Sequence, residues 1–296
     1  MQIVHETSSK ILYSTLLILI ILNCLWYRQF FIELWMAASL LNENIVVSLS
    51  TTPHRINHIQ ETLETVLSQN APIRQIYISI PYVFKRDNLE YKIPQWLQDE
   101  KRITILRSQD YGPATKLLGV LEQVKLTPNT IIVIVDDDVK YPKNLALHLA
   151  YQAKLNPNKA IGVLGADPIY GQDHELIDDA DIGMQRVRKN NSQASVLQGY
   201  AGVAYRRSFF DSSIFNIVSA SQDCKNSDDL YISFYLAKHN IPRQIVKNEY
   251  ISLCYINWSL DIGLNQDALH MLSPRPALKH RSCIAFMKRN DPHVIF

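Results

Sequence analysis

The sequence predicts an α/β domain: a mostly parallel central sheet flanked by helices, preceded by an N-terminal hydrophobic helix. Three observations carry that reading. From Ile45 onward, β-rich runs alternate with segments of helical periodicity. One run, Ile131 to Val135 in "IIVIVDDDVKYP", is β-branched throughout, which suits a strand covered on both faces. Near the N-terminus, "ILYSTLLILIILNCLWY" (Ile11 to Tyr27) is uncharged and mostly aliphatic between Lys10 and Arg28.

That first segment, at about 17 residues, reaches the lower limit for crossing a bilayer, and we read it as a single membrane anchor. A buried helix would need a deep groove to hold it, and a cleaved signal peptide lacks a small-residue site after the apolar run. With one basic residue on each side, its orientation stays open. "RQFFIELWMAASLLNEN" (Arg28 to Asn44) reads as an amphipathic stem at the membrane interface. Residues 1–44 are thus anchor and stem, and residues 45–296 form the globular domain.

Within that domain, "NIVVSLS" is a first strand. Thr52 as N-cap and Pro53 then open a helix that buries Ile56, Ile59, Leu63, Val66 and Leu67. "QIYISI" (Gln75 to Ile80) and "ITILR" (Ile103 to Arg107) are strands, and a helix near Pro113 turns Leu117, Leu118, Leu121 and Val124 inward. The strand ending in Asp136, Asp137 and Asp138 follows. Pro142 opens a helix through Leu155, "AIGVLG" (Ala160 to Gly165) is a strand, and "VLQGYAGVAY" (Val196 to Tyr205) is another, broken by glycines. The polar stretch from Gly171 to Ser195 is long enough to be a lid or a solvated insertion. In "NSDDLYISFYLAKHNIP", Ser227 caps a helix whose first turn holds Asp228 and Asp229, backed by Leu230, Ile232, Phe234, Tyr235 and Leu236.

Composition narrows the function. With 296 residues, 47% hydrophobic and 20% charged, the chain holds one large α/β domain, and a formal net charge of +2 without basic–aromatic clusters argues against a nucleic-acid partner. The 4 cysteines have no CxxC spacing, and Cys24 lies in the apolar segment, so at most one disulfide is possible. There is no Walker loop and no GxGxxG, which disfavours P-loop and Rossmann enzymes.

Three adjacent carboxylates at the C-terminal edge of a buried strand repel one another unless a cation or hydrogen-bond donors neutralise them. In open α/β sheets that edge is where ligands bind, and hard oxygen donors there suit Mg²⁺ or Mn²⁺ together with phosphate. A solvated acidic turn is the plainer alternative. A haloacid-dehalogenase phosphatase would want Thr or Val where this chain has Lys140.

"VVSLSTTPHRINHIQETLETVLSQ", "SQDYGPATKLLGVLE" and "IIVIVDDDVKYPKNL" together resemble the nucleotide-sugar-binding half of family 2-like glycosyltransferases of the GT-A fold, over about Ile45 to Ile245. The resemblance implies a nucleotide-sugar donor, a divalent cation (Mn²⁺ or Mg²⁺) and a hydroxyl acceptor. Thr51, Thr52 and Arg55 would line the nucleotide pocket, and Asp110 and Lys116 would meet base, ribose or phosphates. Asp136 would meet the ribose and share the metal with Asp138, the main ligand, while Asp137 lies beside them in the donor site. The pair Asp228 and Asp229 resembles the acidic motif that carries the catalytic base in inverting members. That motif is usually Glu-Asp and here is Asp-Asp, which leaves the base open between the two.

Gly199 and Gly202 would let backbone approach donor or acceptor, or else mark a bulge. His270 and His280 are candidate further metal ligands, and Trp96, Trp258 and Tyr200 candidate sugar-stacking rings. Two other classes are a sugar nucleotidyltransferase, which should carry a glycine-rich loop where "SLSTTPHR" has none, and a non-catalytic nucleotide- or glycan-binding module.

Overall fold

The computed structural model describes residues 14, 15, 17, 24, 27–169, 184–187, 189–246 and 276–294. Its centre is a seven-stranded sheet flanked by helices, built from β1 (Ile45–Ser50), β2 (Gln75–Pro81), β5 (Ile103–Ser108), β6 (Ile131–Ile134), β7 (Ala160–Gly162), β11 (Val203–Arg206) and β12 (Arg243–Ile245). The spatial order is β12-β7-β11-β6-β1-β2-β5, and β3 (Val83–Phe84) pairs with β4 (Leu89–Glu90) in a separate two-stranded sheet. Every neighbouring pair is parallel except the two made by β11, which runs antiparallel to β6 and β7.

The period-2 alternation of the strands sorts their side chains into two cores. Val47, Leu49, Ile131 and Val133 face a cluster with Leu63 and Val66 of α2 (Gln60–Leu67) and Leu147 and Leu149 of α5 (Leu145–Leu155). Val46, Ile132 and Ile134 face the other, with Leu117, Leu118 and Leu121 of α4 (Thr115–Gln123) and Ile232, Tyr235 and Leu236 of α7 (Asp228–Lys238). A helix over residues 27–39, α1, packs on the first cluster through Met36. Glu33 of the same helix accepts from Asn144 at 2.9 Å. Short α3 (Gln95–Asp99) adds Leu97 to that core.

The elements differ from expectation at four places. The helix expected from Pro53 begins at Gln60, because residues 53–59 form turns and the Thr52 hydroxyl caps only one of them, accepting from Arg55 N–H at 3.3 Å. Ile56 and Ile59 are nevertheless buried. The helix expected from Pro142 starts at Leu145 after one turn. Ala160 to Gly165 and Val196 to Tyr205 each split between two sheets. Their outer halves, β8 (Gly165–Pro168) and β10 (Val196–Leu197), join β9 (Met184–Val187) in a three-stranded sheet. The break after β10 is a turn, Gly199–Ala201, followed by Gly202 at φ +95°, a left-handed backbone that glycine adopts at low cost. The long polar stretch thus contains a strand; its residues 171–183 and 188 lie outside those described.

Among the described residues no helix is long and apolar enough to cross a membrane, and most of the expected anchor over Ile11 to Tyr27 lies outside them. His270 and Trp258 also fall outside. Cys224, in α6 (Gln222–Lys225), and Cys283, in α8 (Pro276–Asn290), form a disulfide that ties the last helix beside the start of α7.

Candidate active site

The chain runs from β1 outward to β2 and β5, then returns to lay β6 on the other side of β1. Strand order therefore reverses between β1 and β6, and a crevice opens beyond the carboxyl ends of a parallel pair at such a point. Register places Ser48 opposite Ile134, so the segments that follow, Thr51 to Arg55 and Asp136 to Asp138, leave the sheet side by side.

Arg55 clamps two of the three carboxylates. Its guanidinium lies 2.9 Å from Asp137 Oδ1 and donates to Asp138 Oδ2 at 2.8 Å. The Asp137 side chain is only 2% exposed, and burial pushes its carboxyl up to about 6; Arg55 opposes that shift, and the charge of Asp138 adds to it. Asp138 is raised by burial and by the charge of Asp136, again against Arg55. Thr51 and Thr52 shape this loop. The Thr51 carbonyl accepts from Tyr91 Oη at 3.0 Å, and Thr52 is the turn cap already described.

The third carboxylate faces Lys116, on the first turn of α4. Lys116 Nζ donates to Asp136 Oδ1 at 2.7 Å and lies 3.1 Å from Asp228 Oδ2. Burial works to lower the pKa of this ammonium, but Asp136, then Asp228 and Asp229, outweigh it and hold the group well above the usual lysine value. Ser48 Oγ donates to the Lys116 carbonyl at 2.6 Å, fixing the start of α4 to β1. Tyr141 Oη accepts from Asp136 N–H and donates to the Tyr200 carbonyl, both at 2.8 Å, joining the acidic loop to the Gly199–Ala201 turn.

Asp228 and Asp229 open α7 on the opposite wall. Asp229 Oδ1 accepts from Gly199 N–H at 3.0 Å. Its surroundings push it up to about 8, first through burial and then through the charge of Asp228, with Lys116 opposing. Gly199 is needed here for space: a Cβ would lie 2.9 Å from Asp229 Oδ1 and 3.0 Å from Lys116 Nζ. Gly202, in contrast, backs onto Leu145 and Leu149 of α5 and serves the turn.

The two acidic motifs, far apart in sequence, thus meet across Lys116. Asp110 stands apart from them. Its two oxygens accept from Lys85 N–H and Gly112 N–H, each at 2.7 Å, so it ties together the loops after β2 and β5. It borders a cavity of about 500 Å³ shared with Phe84, Arg86, Lys225 and Lys279, none of which belongs to the motifs read from sequence. The basic pair Lys85-Arg86 shortly after a parallel strand was a readable signal; Lys279, delivered by α8, was not. Trp96 packs against the core, and His280 lies on α8.

Among the described residues no three His, Cys, Asp or Glu side chains converge as a ready-made chelate. The donor set nonetheless fits a divalent ion of the Mg²⁺ or Mn²⁺ kind, which is held by one or two carboxylates plus substrate phosphates. Asp136 and Asp138 have side chains 28% and 32% exposed, each with one oxygen engaged by a cation, and their mutual repulsion is what such an ion relieves. No family model matches this chain, and a search of curated proteins finds no match either.

Proposed function

We propose that the protein is a metal-dependent glycosyltransferase of the GT-A type, moving a sugar from a nucleotide-sugar donor to an acceptor hydroxyl with inversion. The observation that carries this reading is the convergence of the Asp136–Asp138 loop and the Asp228–Asp229 helix start on Lys116, at the strand-order reversal.

Asp138, with Asp136, would hold the cation, which when bound stabilises the charge that grows on the departing diphosphate. Arg55 and Lys116 add fixed positive charge at the same place and need no reorganisation to do so. Across the crevice, Asp229 accepts the proton of the acceptor hydroxyl as that oxygen bonds to the anomeric carbon and the bond to the diphosphate breaks. Asp229 is preferred over Asp228 as base because Asp228 is committed to Lys116, whereas Asp229 is held near 8, a basicity matched to proton abstraction near neutral pH. Gly199 N–H fixes the orientation of that carboxylate.

Membrane attachment belongs to the same reading. Besides the apolar run at Ile11 to Tyr27, it is supported by Phe30, Phe31, Leu34 and Trp35 of α1, all exposed large apolar side chains.

One observation favours a second reading, the non-catalytic binding module: Arg55 and Lys116 already neutralise the acidic loop from within. The deciding experiment incubates the full-length chain with UDP- and GDP-sugars and Mn²⁺ and follows release of the nucleoside diphosphate. Metal-dependent release supports the transferase. Tight nucleotide binding without turnover, across varied acceptors, supports the module.

A further inference from the structure

We propose that the cavity between the loop after β2, the turn at Gly112 and helices α6 and α8 is an acceptor subsite, and that it takes a sugar bearing a phosphate or carboxylate; this rests on the transferase reading above. The cavity holds about 500 Å³, room for a sugar ring with an anionic substituent. Four cationic residues line it, Lys85, Arg86, Lys225 and Lys279, against the carboxylates of Asp110 and Asp223. Four cations against two carboxylates leave the wall cationic on balance, and Asp110 already accepts from the N–H groups of Lys85 and Gly112.

The cations are placed rather than scattered. Lys85 Nζ donates to the Asp110 carbonyl at 3.0 Å, and the Arg86 guanidinium stacks 5.2 Å from the centre of the Phe84 ring. Lys279 Nζ donates to the Asn226 carbonyl at 3.1 Å, and among the described residues no carboxylate forms an ion pair with Lys225 or Lys279. Burial lowers the Lys279 ammonium, with Asp228, Asp223 and Asp229 pulling it back up, so this charge sits partly desolvated and within electrostatic reach of the candidate base. A desolvated ammonium gains most from an anion brought by a ligand. Gly112, at φ +64°, makes the floor possible: a Cβ there would lie 2.9 Å from the Lys225 carbonyl.

Position separates this cavity from the proposed donor site. Of the residues expected around the donor, its lining includes Asp110 but none of Thr51, Thr52, Arg55, Lys116 or Asp136 to Asp138. It borders Asn226, two residues before Asp228, so a ligand anchored by its anion there presents hydroxyls toward the start of α7.

Calorimetry on the full-length chain with glucose 6-phosphate, glucuronate and neutral glucose tests the assignment, and the first two probes distinguish a phosphate from a carboxylate as the anion. We expect at least one anionic sugar to bind about tenfold or more tighter than glucose, and to weaken as salt rises. Lys279→Gln should weaken it by about tenfold, Lys279→Arg should largely restore it, and Lys225→Gln, at a half-buried position, should weaken it without touching the fold. Failure of both anions to bind at millimolar concentration, equal binding of glucose, or indifference to both Gln variants overturns the proposal. A parallel loss of Mn²⁺-dependent UDP or GDP binding in the Gln variants would make the cavity part of the donor site and overturn it as well. Absence of nucleotide binding in the unaltered chain sinks the transferase reading instead, because the anionic sugars are measured without nucleotide.

Discussion

Replacing Lys116 with Met keeps most of the side-chain volume and removes the ammonium that lies 2.7 Å from Asp136 and 3.1 Å from Asp228. Breaking a buried ion pair from one side costs about 3–5 kcal/mol, because the remaining charge is stranded. Asp136 is 28% exposed and recovers some hydration, which points to the lower end, about 3 kcal/mol at pH 8. In a domain of this size that loss lowers Tm by about 6–12 °C.

The loss should shrink with acidity. A carboxylate stranded without its ammonium takes up a proton more readily in the folded state than in the unfolded chain, so the variant recovers stability as pH falls. Each pH unit recovers about 1.4 kcal/mol per carboxyl, so at pH 5 the deficit relative to the unaltered protein should be no more than about half of that at pH 8. Thermal unfolding of both proteins at the two pH values measures this. A deficit below about 1 kcal/mol at pH 8, or one that grows toward pH 5, would refute Lys116 as the hub of the site.

Three further outcomes follow from the same geometry. Gly199→Ala places a Cβ 2.9 Å from Asp229 Oδ1, and the overpacking should cost about 1–3 kcal/mol and lower kcat more than it changes donor KM, checked by unfolding and steady-state kinetics. Cys283→Ser opens a loop with a sequence separation of 59 and should cost about 4 kcal/mol by the chain-entropy relation, read as a lower Tm that dithiothreitol reproduces in the unaltered protein. If Asp229 is the base, it must be deprotonated to act, so kcat/KM should rise about tenfold per pH unit and level off near its value of about 8; Asp229→Asn should abolish turnover across the range.

The strands and the acidic motifs were legible because their signals are local. The β-branched run Ile131 to Val135 ends in its carboxylates within one short stretch, and the apolar spacing behind Asp228 and Asp229 belongs to one helix. What escaped depends on partners distant in sequence. Nothing local says that β10 leaves the main sheet for β8, a pairing fixed by Val196 opposite Ala166. Asp110, expected at the nucleotide, also binds the N–H groups of Lys85 and Gly112, and Lys85 lies on the loop after β2, which the stretch of sequence around Asp110 does not name. The turns before α2 leave Arg55 against Asp137 and Asp138, residues of a different strand end that its local sequence does not name. Lys279 reaches the cavity because a disulfide to Cys224 holds α8 there, and cysteine spacing alone allowed that bond without specifying it.

Titration of UDP and GDP into the protein by calorimetry, with Mn²⁺ and then with the metal chelated, bears most directly on whether the acidic loop works through a cation. We predict binding only with the metal present, lost in Asp138→Asn and retained in Asp229→Asn. Binding that survives chelation, or that Asp138→Asn leaves at full strength, would contradict the role assigned to the loop.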